Sequence, residues 1–286
     1  MSDFGGGAPP PPPPPSAGGG GPIPQRGLGD ILSTAFELYK TNFAKLIQLV
    51  AIVVIPLALV QALVRTVIFK PCEARDINSL EDLSDLVNDC AASSFGRSLL
   101  IAAIIGLLTV AIQQLLVGAL TRGGAGALLG RAVDVNASYK YAFSRLGGLV
   151  GLAILIAIVV GVGFLLLFIP GLIFAVFLSM AIPAFIVERK GVTESMSRSW
   201  SLVSGEWWHT FGVMIVTLLI VGVVSGIVTA IGGSNFFLYW IFSTIAQLIT
   251  APFFALVVVV LYVDLRSRHE SLTADGLGTE LDAATA

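Results

Sequence analysis

The longest uncharged stretch of the chain is residues 210–263, TFGVMIVTLLIVGVVSGIVTAIGGSNFFLYWIFSTIAQLITAPFFALVVVVLYV. These 54 residues contain no Asp, Glu, Lys, Arg or His. A helix needs roughly 20 apolar residues to cross the hydrocarbon core of a bilayer, so the stretch holds two spans. The sequence Gly232-Gly233-Ser234-Asn235 predicts the turn between them, because glycine and asparagine favour turn conformations. The stretch therefore predicts a membrane protein.

Three shorter stretches also lack all five of these residue types. They are Leu46–Val64, Ser98–Thr121 and Leu146–Val187, with 19, 24 and 42 residues. The last of them needs two spans, and Pro170-Gly171 predicts its turn, since proline removes a helix donor. The predicted spans are about 46–64, 98–121, 147–168, 171–187, 210–231 and 237–263.

The fold class follows from these spans. We predict an all-α membrane protein with six transmembrane helices arranged as three hairpins. The composition agrees, because 56% of the residues are hydrophobic and only 12% are charged, about half the roughly 25% of soluble proteins. Proline inside a span is tolerated where neighbouring helices satisfy the freed carbonyl, so we interpret Pro56, Pro183 and Pro252 as kinks.

The Lys and Arg residues predict the orientation, because cytoplasmic loops carry an excess of them. With a cytoplasmic N-terminus, 12 of the 16 cations lie in inner segments. The other four are Arg65, Lys70, Arg75 and Arg97. We therefore expect a multi-pass protein of the cell membrane with both termini in the cytoplasm.

Three regions make up the predicted organisation. Residues 1–25 are rich in Gly and Pro and are expected to be disordered. They serve either as a solvated spacer or as a docking site for a proline-recognising partner. Residues 26–272 form the six-helix membrane domain, and residues 273–286 are expected to be a disordered tail. We expect no nucleic-acid partner.

The predicted outer loop, 65–97, holds both cysteines of the chain, Cys72 and Cys90. Outside the cytoplasm this pair can close a disulfide, and free thiols are the alternative. A metal site needs more ligands, and no histidine lies nearby, so we expect no metal. We expect no other cofactor.

A short amphipathic segment precedes each hairpin on the inner side. Its apolar residues recur at helical spacing and its charges lie on the other face. Such helices lie in the membrane interface with their aromatic side chains at headgroup depth. The three segments are Asp30–Phe43, Asn136–Leu146 and Thr193–Trp207.

Aromatic residues repeat between the first and third of these segments. Phe36 and Phe43 correspond to Trp200 and Trp207 at a constant offset of 164 residues. The correspondence favours an internal repeat of three hairpins, and independently arising interfacial helices are the alternative. We predict that these four aromatic residues form an interfacial motif.

Four charged residues lie close to the predicted inner ends of the spans: Glu188, Arg198, Asp264 and Arg266. Partly dehydrated charges need partners. We therefore predict that Arg198 or Arg266 pairs with Glu188 or Asp264, which would hold the third amphipathic segment against the last span. This role is structural.

Small residues also recur at helical spacing within two spans. Such spacing lets helices pack closely in membranes. The two motifs are Gly147-x-x-x-Gly151 and Gly222-x-x-x-Gly226-x-x-x-Ala230.

Several short motifs around the spans resemble the membrane domain attached to some bacterial glycerophosphodiester phosphodiesterases, which also occurs alone in bacterial membrane proteins. The resemblance covers residues 26–272 and implies the topology. It implies no catalytic residues, because those enzymes use a separate metal-binding barrel; no His-Arg-Gly motif occurs here, and we expect no barrel after the last span. The motifs are LGD at 28–30, YKTNF at 39–43, VERKG at 187–191, SRSWSL at 197–202, GEWW at 205–208 and LYVDLRSRHE at 261–270.

The sequence leaves three functions open. The first is a non-catalytic protein that organises membrane partners or lipids. The second is a transporter or lipid-translocating protein, which a polar cavity lined by Gln113, Gln114 and Gln247 would favour. The third is an accessory subunit of a phospholipid-metabolising enzyme. We expect no enzymatic activity, since the two histidines, His209 and His269, have no nucleophile or metal cluster beside them in the sequence.

Overall fold

The computed structural model describes residues 23–67, 95–233, 235–270 and 272–283. These residues form an all-α structure. Its helices are α1 (Leu28–Thr41), α2 (Phe43–Val67), α3 (Phe95–Leu128), α4 (Val135–Ser144), α5 (Leu146–Leu166), α6 (Phe168–Leu178), α7 (Ala181–Val187), α8 (Val192–Val203), α9 (Trp207–Ala230), α10 (Phe236–His269) and α11 (Ala274–Ala283).

Six segments are long and apolar enough to cross a membrane. Their mean hydropathy lies between 2.1 and 3.0. The multi-pass prediction is therefore confirmed at the level of length and composition. The six are Phe43–Gln61, Ala103–Leu128, Leu146–Leu166, Phe168–Val187, Trp207–Ala230 and Phe237–His269.

Helix α10 is the centre of the bundle. It contacts α1, α2, α3 and α9. In its apolar 18-residue segment 61% is buried, against 11% in the corresponding segment of α9. Consecutive spans also touch, because α2 packs on α3, α5 on α6 and α9 on α10. A helix whose apolar side chains face outward suits a lipid environment. The grouping of these pairs into membrane hairpins stays a prediction.

The predicted turn at Pro170-Gly171 is wrong. The chain turns at Leu167, which is extended with φ −162° and ψ 153°, and α6 has already begun at Phe168. Pro170 fits the first turn of α6, because the backbone N–H groups there have no helical acceptor. Gly171 is needed for a close approach, since a Cβ atom there would lie 2.4 Å from the Phe164 ring.

The turn predicted in the last uncharged stretch is confirmed. Helix α9 ends at Ala230, and Gly233 has a φ of +56°, a backbone conformation that glycine adopts without a steric penalty. Asn235 then caps α10, because its side-chain oxygen accepts hydrogen bonds from the backbone N–H groups of Phe237 and Leu238.

Two of the three predicted proline kinks lie inside continuous helices, Pro56 in α2 and Pro252 in α10. Pro183 is different, because the chain breaks before it, between α6 and α7. Ser199 satisfies the broken backbone: its hydroxyl donates to the Phe177 carbonyl at 2.6 Å and accepts from the Met180 N–H at 3.0 Å.

The C-terminal segment differs from the predicted disordered tail. Residues 274–283 form α11, and Leu277 and Leu281 are buried against the bundle. These two leucines lie one helical turn apart, on one face of a helix. The segment is ordered by this tertiary packing, which the polar composition of the tail conceals.

The small-residue motifs do not mediate helix packing within the bundle. A Cβ atom at Gly147, Gly151, Gly222 or Gly226 would meet nothing within 4 Å. The close approach in α5 is made instead by the neighbouring Gly148, where a Cβ atom would lie 2.4 Å from the Phe185 ring. The four glycines of the motifs therefore face no neighbouring helix among the residues that the structure describes.

Candidate functional site

The charged residues of the described chain concentrate at one end of the bundle, which we call the charged end. Three elements meet there: the segment after α7, helix α8, which follows it directly, and the last turns of α10, about 70 residues further along the chain. Arg145 links this end to α5, because its Nη2 donates to the Lys190 carbonyl at 3.1 Å. Arg26 adds the N-terminal segment, since its backbone N–H donates to Asp264 at 2.6 Å.

Glu188 is the first of two carboxylates that organise the charged end. Its side chain is 8% exposed, and Arg198 Nε donates to both of its oxygens, at 2.8 and 2.9 Å. The Tyr262 hydroxyl donates to the same carboxylate, and Lys190 Nζ lies 3.2 Å from it. Arg266 Nε is 3.7 Å away. Glu188 therefore joins α7, α8 and α10.

The two arginines extend this cluster into an alternating chain of charges. Arg198 also pairs with Glu270, and Arg266 pairs with Glu270 at 3.3 Å. Arg266 then reaches Glu280 of α11, with Nη1 2.7 Å from Oε2 and Nη2 2.9 Å from Oε1. Two parallel N–H···O bonds are the strongest form of this interaction and fix the orientation of both groups. We call Glu188, Arg198, Arg266, Glu270 and Glu280 the Glu188 network.

The Glu188 network lowers the pKa of its central carboxyl. Burial by itself raises the pKa of Glu188, but hydrogen bonds from Tyr262 and Arg198 and the charge of Arg266 outweigh it. The net pKa lies below the ordinary glutamate value. Burial likewise lowers the pKa of Arg198, and the Glu188 contacts reverse this and raise it. Both groups are therefore held in their charged forms.

Asp264 is the second organising carboxylate and is fully buried. Besides the Arg26 N–H, it accepts from Arg268 Nε at 2.8 Å. Arg268 also donates to the Arg26 carbonyl at 2.7 Å and lies 3.4 Å from Glu206. His209 Nε2 is 3.3 Å from Asp264 Oδ2, but the two atoms lack hydrogen-bond geometry. This cluster fastens the N-terminal segment to α9 and α10.

The predicted pairing of Arg198 with Glu188 is present, and Arg266 belongs to the same network. Asp264 does not join them, because it lies in the cluster around Arg268. Sequence reasoning missed the partners Glu270 and Glu280. Glu270 had a detectable signal, since it lies four residues after Arg266 on a helix. Glu280 had no comparable signal, because its contact with Arg266 depends on the packing of α11 against the bundle.

The four predicted interfacial aromatic residues fall into two kinds. Phe36, Phe43 and Trp200 are 50%, 47% and 42% exposed. Trp200 stacks on the Phe177 ring, with centroids 4.0 Å apart. Trp207 instead packs against the core and stacks on Phe211. Aromatic side chains with one wet and one apolar side are typical of membrane interfaces, although their depth in a bilayer stays a prediction.

Two cavities open near the charged end. The larger has a volume of about 380 Å³ and lies between the start of α2 and the segment before α4, with Lys45 and Asp134 in its wall. The smaller, of about 110 Å³, is lined by Arg122, Arg131 and Leu281 among others. Gln113, Gln114 and Gln247 line neither cavity.

The chemistry available at the charged end is binding and bracing. The carboxylates of Glu188 and Asp264 are committed to arginines, so neither is poised to accept a proton from a substrate. Among the residues that the structure describes, no group of three His, Cys, Asp or Glu side chains is arranged to hold a metal ion. Cys72 and Cys90 lie outside the described residues.

Comparison with known proteins gives one match. A family model described as "Domain of unknown function (DUF7847)" matches residues 30–265, which is well over half of the chain. No curated protein and no solved structure matches. The matched family shows no link to glycerophosphodiester phosphodiesterases, so that resemblance stays a prediction.

Proposed function

The chain belongs to the DUF7847 family, a family of unknown function, and we propose that it is a non-enzymatic multi-pass membrane protein that organises membrane partners or lipids. Its charged end lies at the cytoplasmic surface with both termini. The spans form three hairpins, each preceded by an interfacial helix, α1, α4 or α8.

One observation carries this proposal, namely that the Glu188 network is closed. Each carboxylate in the network contacts at least one arginine, and the network braces α8, α10 and α11 against one another. A catalytic site keeps at least one group in reach of a substrate. A closed network instead supplies a rigid platform, on which exposed aromatic groups such as Trp208 are held for contact with other molecules.

The exposed aromatic side chains supply the contact surface. Trp208, in the first turn of α9, is 78% exposed, and Phe36, on α1, is 50% exposed. Tryptophan is enriched at protein interfaces and at the membrane–water boundary, because one end of its ring is apolar and the other can donate a hydrogen bond. Trp208 lies on α9, between Glu206 and His209 of the cluster around Asp264, and Phe36 lies on α1, which follows Arg26.

The proposal is tested by purification of the full chain in mild detergent, followed by mass spectrometry of the bound lipids and proteins. We expect a defined set of bound molecules, which Trp208→Ala reduces. The matched control is Leu167→Ala, because Leu167 is similarly exposed, at 69%, but lies at the turn between α5 and α6. An identical set in both variants and the wild type, or no bound set at all, would contradict the proposal.

Three other outcomes would redirect the proposal. Uptake of a solute by vesicles that contain the purified protein would favour transport, the second function left open by the sequence. Co-purification of a separate phosphodiesterase, lost in Trp200→Ala, would favour an accessory role and would support the resemblance stated above. Hydrolysis of a phospholipid-derived substrate by the purified chain would show that it is an enzyme.

A further inference from the structure

The C-terminal helix α11 rests on four arginines that come from different parts of the chain. Arg122 Nη2 donates to the Leu281 carbonyl at 2.6 Å, and Arg189 Nη1 donates to the Ala283 carbonyl at 2.6 Å. Carbonyls at the end of a helix carry partial negative charge, which cations stabilise. The remaining two contacts are ion pairs to side chains of α11.

These ion pairs use the acidic side chains of the helix. Arg131 forms a bidentate pair with Asp282, at 2.5 and 3.0 Å, and Arg266 forms one with Glu280. The sequence of α11, ADGLGTELDA, contains three acids and no cation. The helix therefore presents to the arginines the same chemistry that a bound anion would present.

Arg122, which lines the cavity beside α11, has a hydrogen-bond donor without a partner among the described residues. Arg122 Nη1 is buried, and the described residues give it no hydrogen-bond partner. The cavity that Arg122 and Arg131 line has a volume of about 110 Å³. A water molecule takes about 30 Å³ in the liquid, so the space admits a group of several heavy atoms. Arg122 and Arg131 line this cavity, and the guanidinium group is suited to phosphate oxygens.

One carboxylate also lines the cavity, that of Asp134. One of its oxygens, Oδ1, accepts the hydrogen bond that caps α4, from the Ala137 N–H at 3.0 Å. Ala137 and Ser138, in the first turn of α4, line the same cavity. The wall of the cavity therefore carries two arginines, Arg122 and Arg131, and one carboxylate, so the cations outnumber the acid.

The attachment of α11 is of the kind that can be released. A ten-residue helix with two glycines is not stable alone in water, so it depends on its contacts. Arg131 and Asp282 are 44% and 64% exposed, and exposed ion pairs contribute little. The anchoring contacts are the two buried leucines and the Arg266–Glu280 pair.

We propose that Arg122, Arg131 and Arg189 form a binding site for a phosphate-bearing anion, and that α11 is a latch that occupies this site. The acids and terminal carbonyls of α11 take the positions that phosphate oxygens take when the latch is released. This inference builds on the proposed role at the membrane, but the two fail separately. An empty arginine site would leave the partner set measured with Trp208→Ala unchanged.

The test uses the full chain in detergent and in nanodiscs. The loosened-latch variant is Glu280→Gln with Asp282→Asn, and its control is Asp275→Asn, an acid of the same helix whose side chain has no arginine partner among the described contacts. We expect the loosened variant to retain several-fold more phosphatidylglycerol than the wild type. Adding Arg122→Gln is expected to abolish the gain, and Asp275→Asn is expected to behave like the wild type.

A second arm separates a lipid headgroup from a free anion. Inorganic phosphate is added to the lipid-free loosened variant, and thermal unfolding is recorded. Stabilisation by phosphate that Arg122→Gln removes identifies a site for free phosphate, and a gain confined to phosphatidylglycerol identifies a headgroup site. Neither effect, in a variant that retains the wild-type circular dichroism spectrum, would overturn the proposal.

A further variant guards against an effect that comes only from misfolding of the double variant. Leu277→Ala weakens the latch without replacing any charged residue, since Leu277 belongs to the apolar core. It is expected to raise phosphatidylglycerol retention in the same direction as the double variant. Loss of retention in both, or a gain that persists with Arg122→Gln, would contradict the assigned site.

Discussion

Arg198 holds Glu188 with a forked contact, in which one Nε lies 2.8 and 2.9 Å from the two carboxylate oxygens. The contact joins the end of α7 to the middle of α8. Because Tyr262 donates to the same carboxylate, α10 is fixed in the same place. Glu188 therefore fixes three helices to one another at the charged end.

Replacing Glu188 with Gln should destabilise the protein strongly. The change removes the negative charge that compensates Arg198 and Arg266, and breaking a buried ion pair costs about 3–5 kcal/mol. Unfolding in detergent, followed by circular dichroism, measures the effect. The control is Glu37→Gln, an exposed glutamate on α1, which should leave the transition unchanged. Equal transitions for the two variants would contradict a central role for Glu188.

The stability of the protein should depend on pH through the ionisation of Glu188. Its pKa is lower in the folded protein than the ordinary value of about 4.3, so the folded state favours the ionised form. The stabilisation is fully present above the ordinary pKa and is lost as pH falls below it, through the folded-state pKa. The thermal unfolding temperature of the wild type should fall steeply between neutral pH and pH 3. The slope should be shallower in Glu188→Gln.

Replacing Ser199 with Ala should weaken the junction of α6 and α7. The hydroxyl accepts from the Met180 N–H and donates to the Phe177 carbonyl, and both backbone groups lose a buried partner in the variant. A buried group left unsatisfied costs about 1–3 kcal/mol. Ser201→Ala is the control, because Ser201 is exposed and bonds only within α8. Equal melting temperatures for both variants would show that the junction is satisfied in another way.

Two adjacent glycines give a matched test of packing in α5. Gly148→Ala places a Cβ atom 2.4 Å from Phe185, and Gly147→Ala places one in open space. Overpacking in a filled interior costs about 1–3 kcal/mol, so only the first variant should unfold at a lower denaturant concentration. The opposite order would mean that the Gly147 face is the packed one, as the small-residue motif predicted.

The predicted orientation and disulfide are tested with the two natural cysteines. In intact cells a membrane-impermeant maleimide should label Cys72 and Cys90 only after reduction. In a variant lacking both cysteines, Thr193→Cys should be labelled only after the cells are opened, because α8 is expected on the inner side. Labelling without reduction would indicate free thiols, and labelling of Thr193→Cys in intact cells would reverse the orientation.

The sequence by itself determined the six spans and the turn at Gly232–Asn235. Both depend on local properties: the transfer of apolar residues out of water adds up along a helix, and glycine permits a positive φ wherever it stands. The pairing of Arg198 with Glu188 was also within reach, because only ten residues separate the two.

Only the tertiary structure decided where the other charges go. The Arg26 backbone reaches Asp264 across 238 residues, and Arg131 reaches Asp282 across 151. No local pattern encodes such contacts, since they depend on which helix ends come together. The folding of α11 and the close packing beside Gly148 likewise depend on tertiary contacts. The uncharged stretches determine where the helices lie in the sequence. The packing of those helices determines which partner each charged residue contacts.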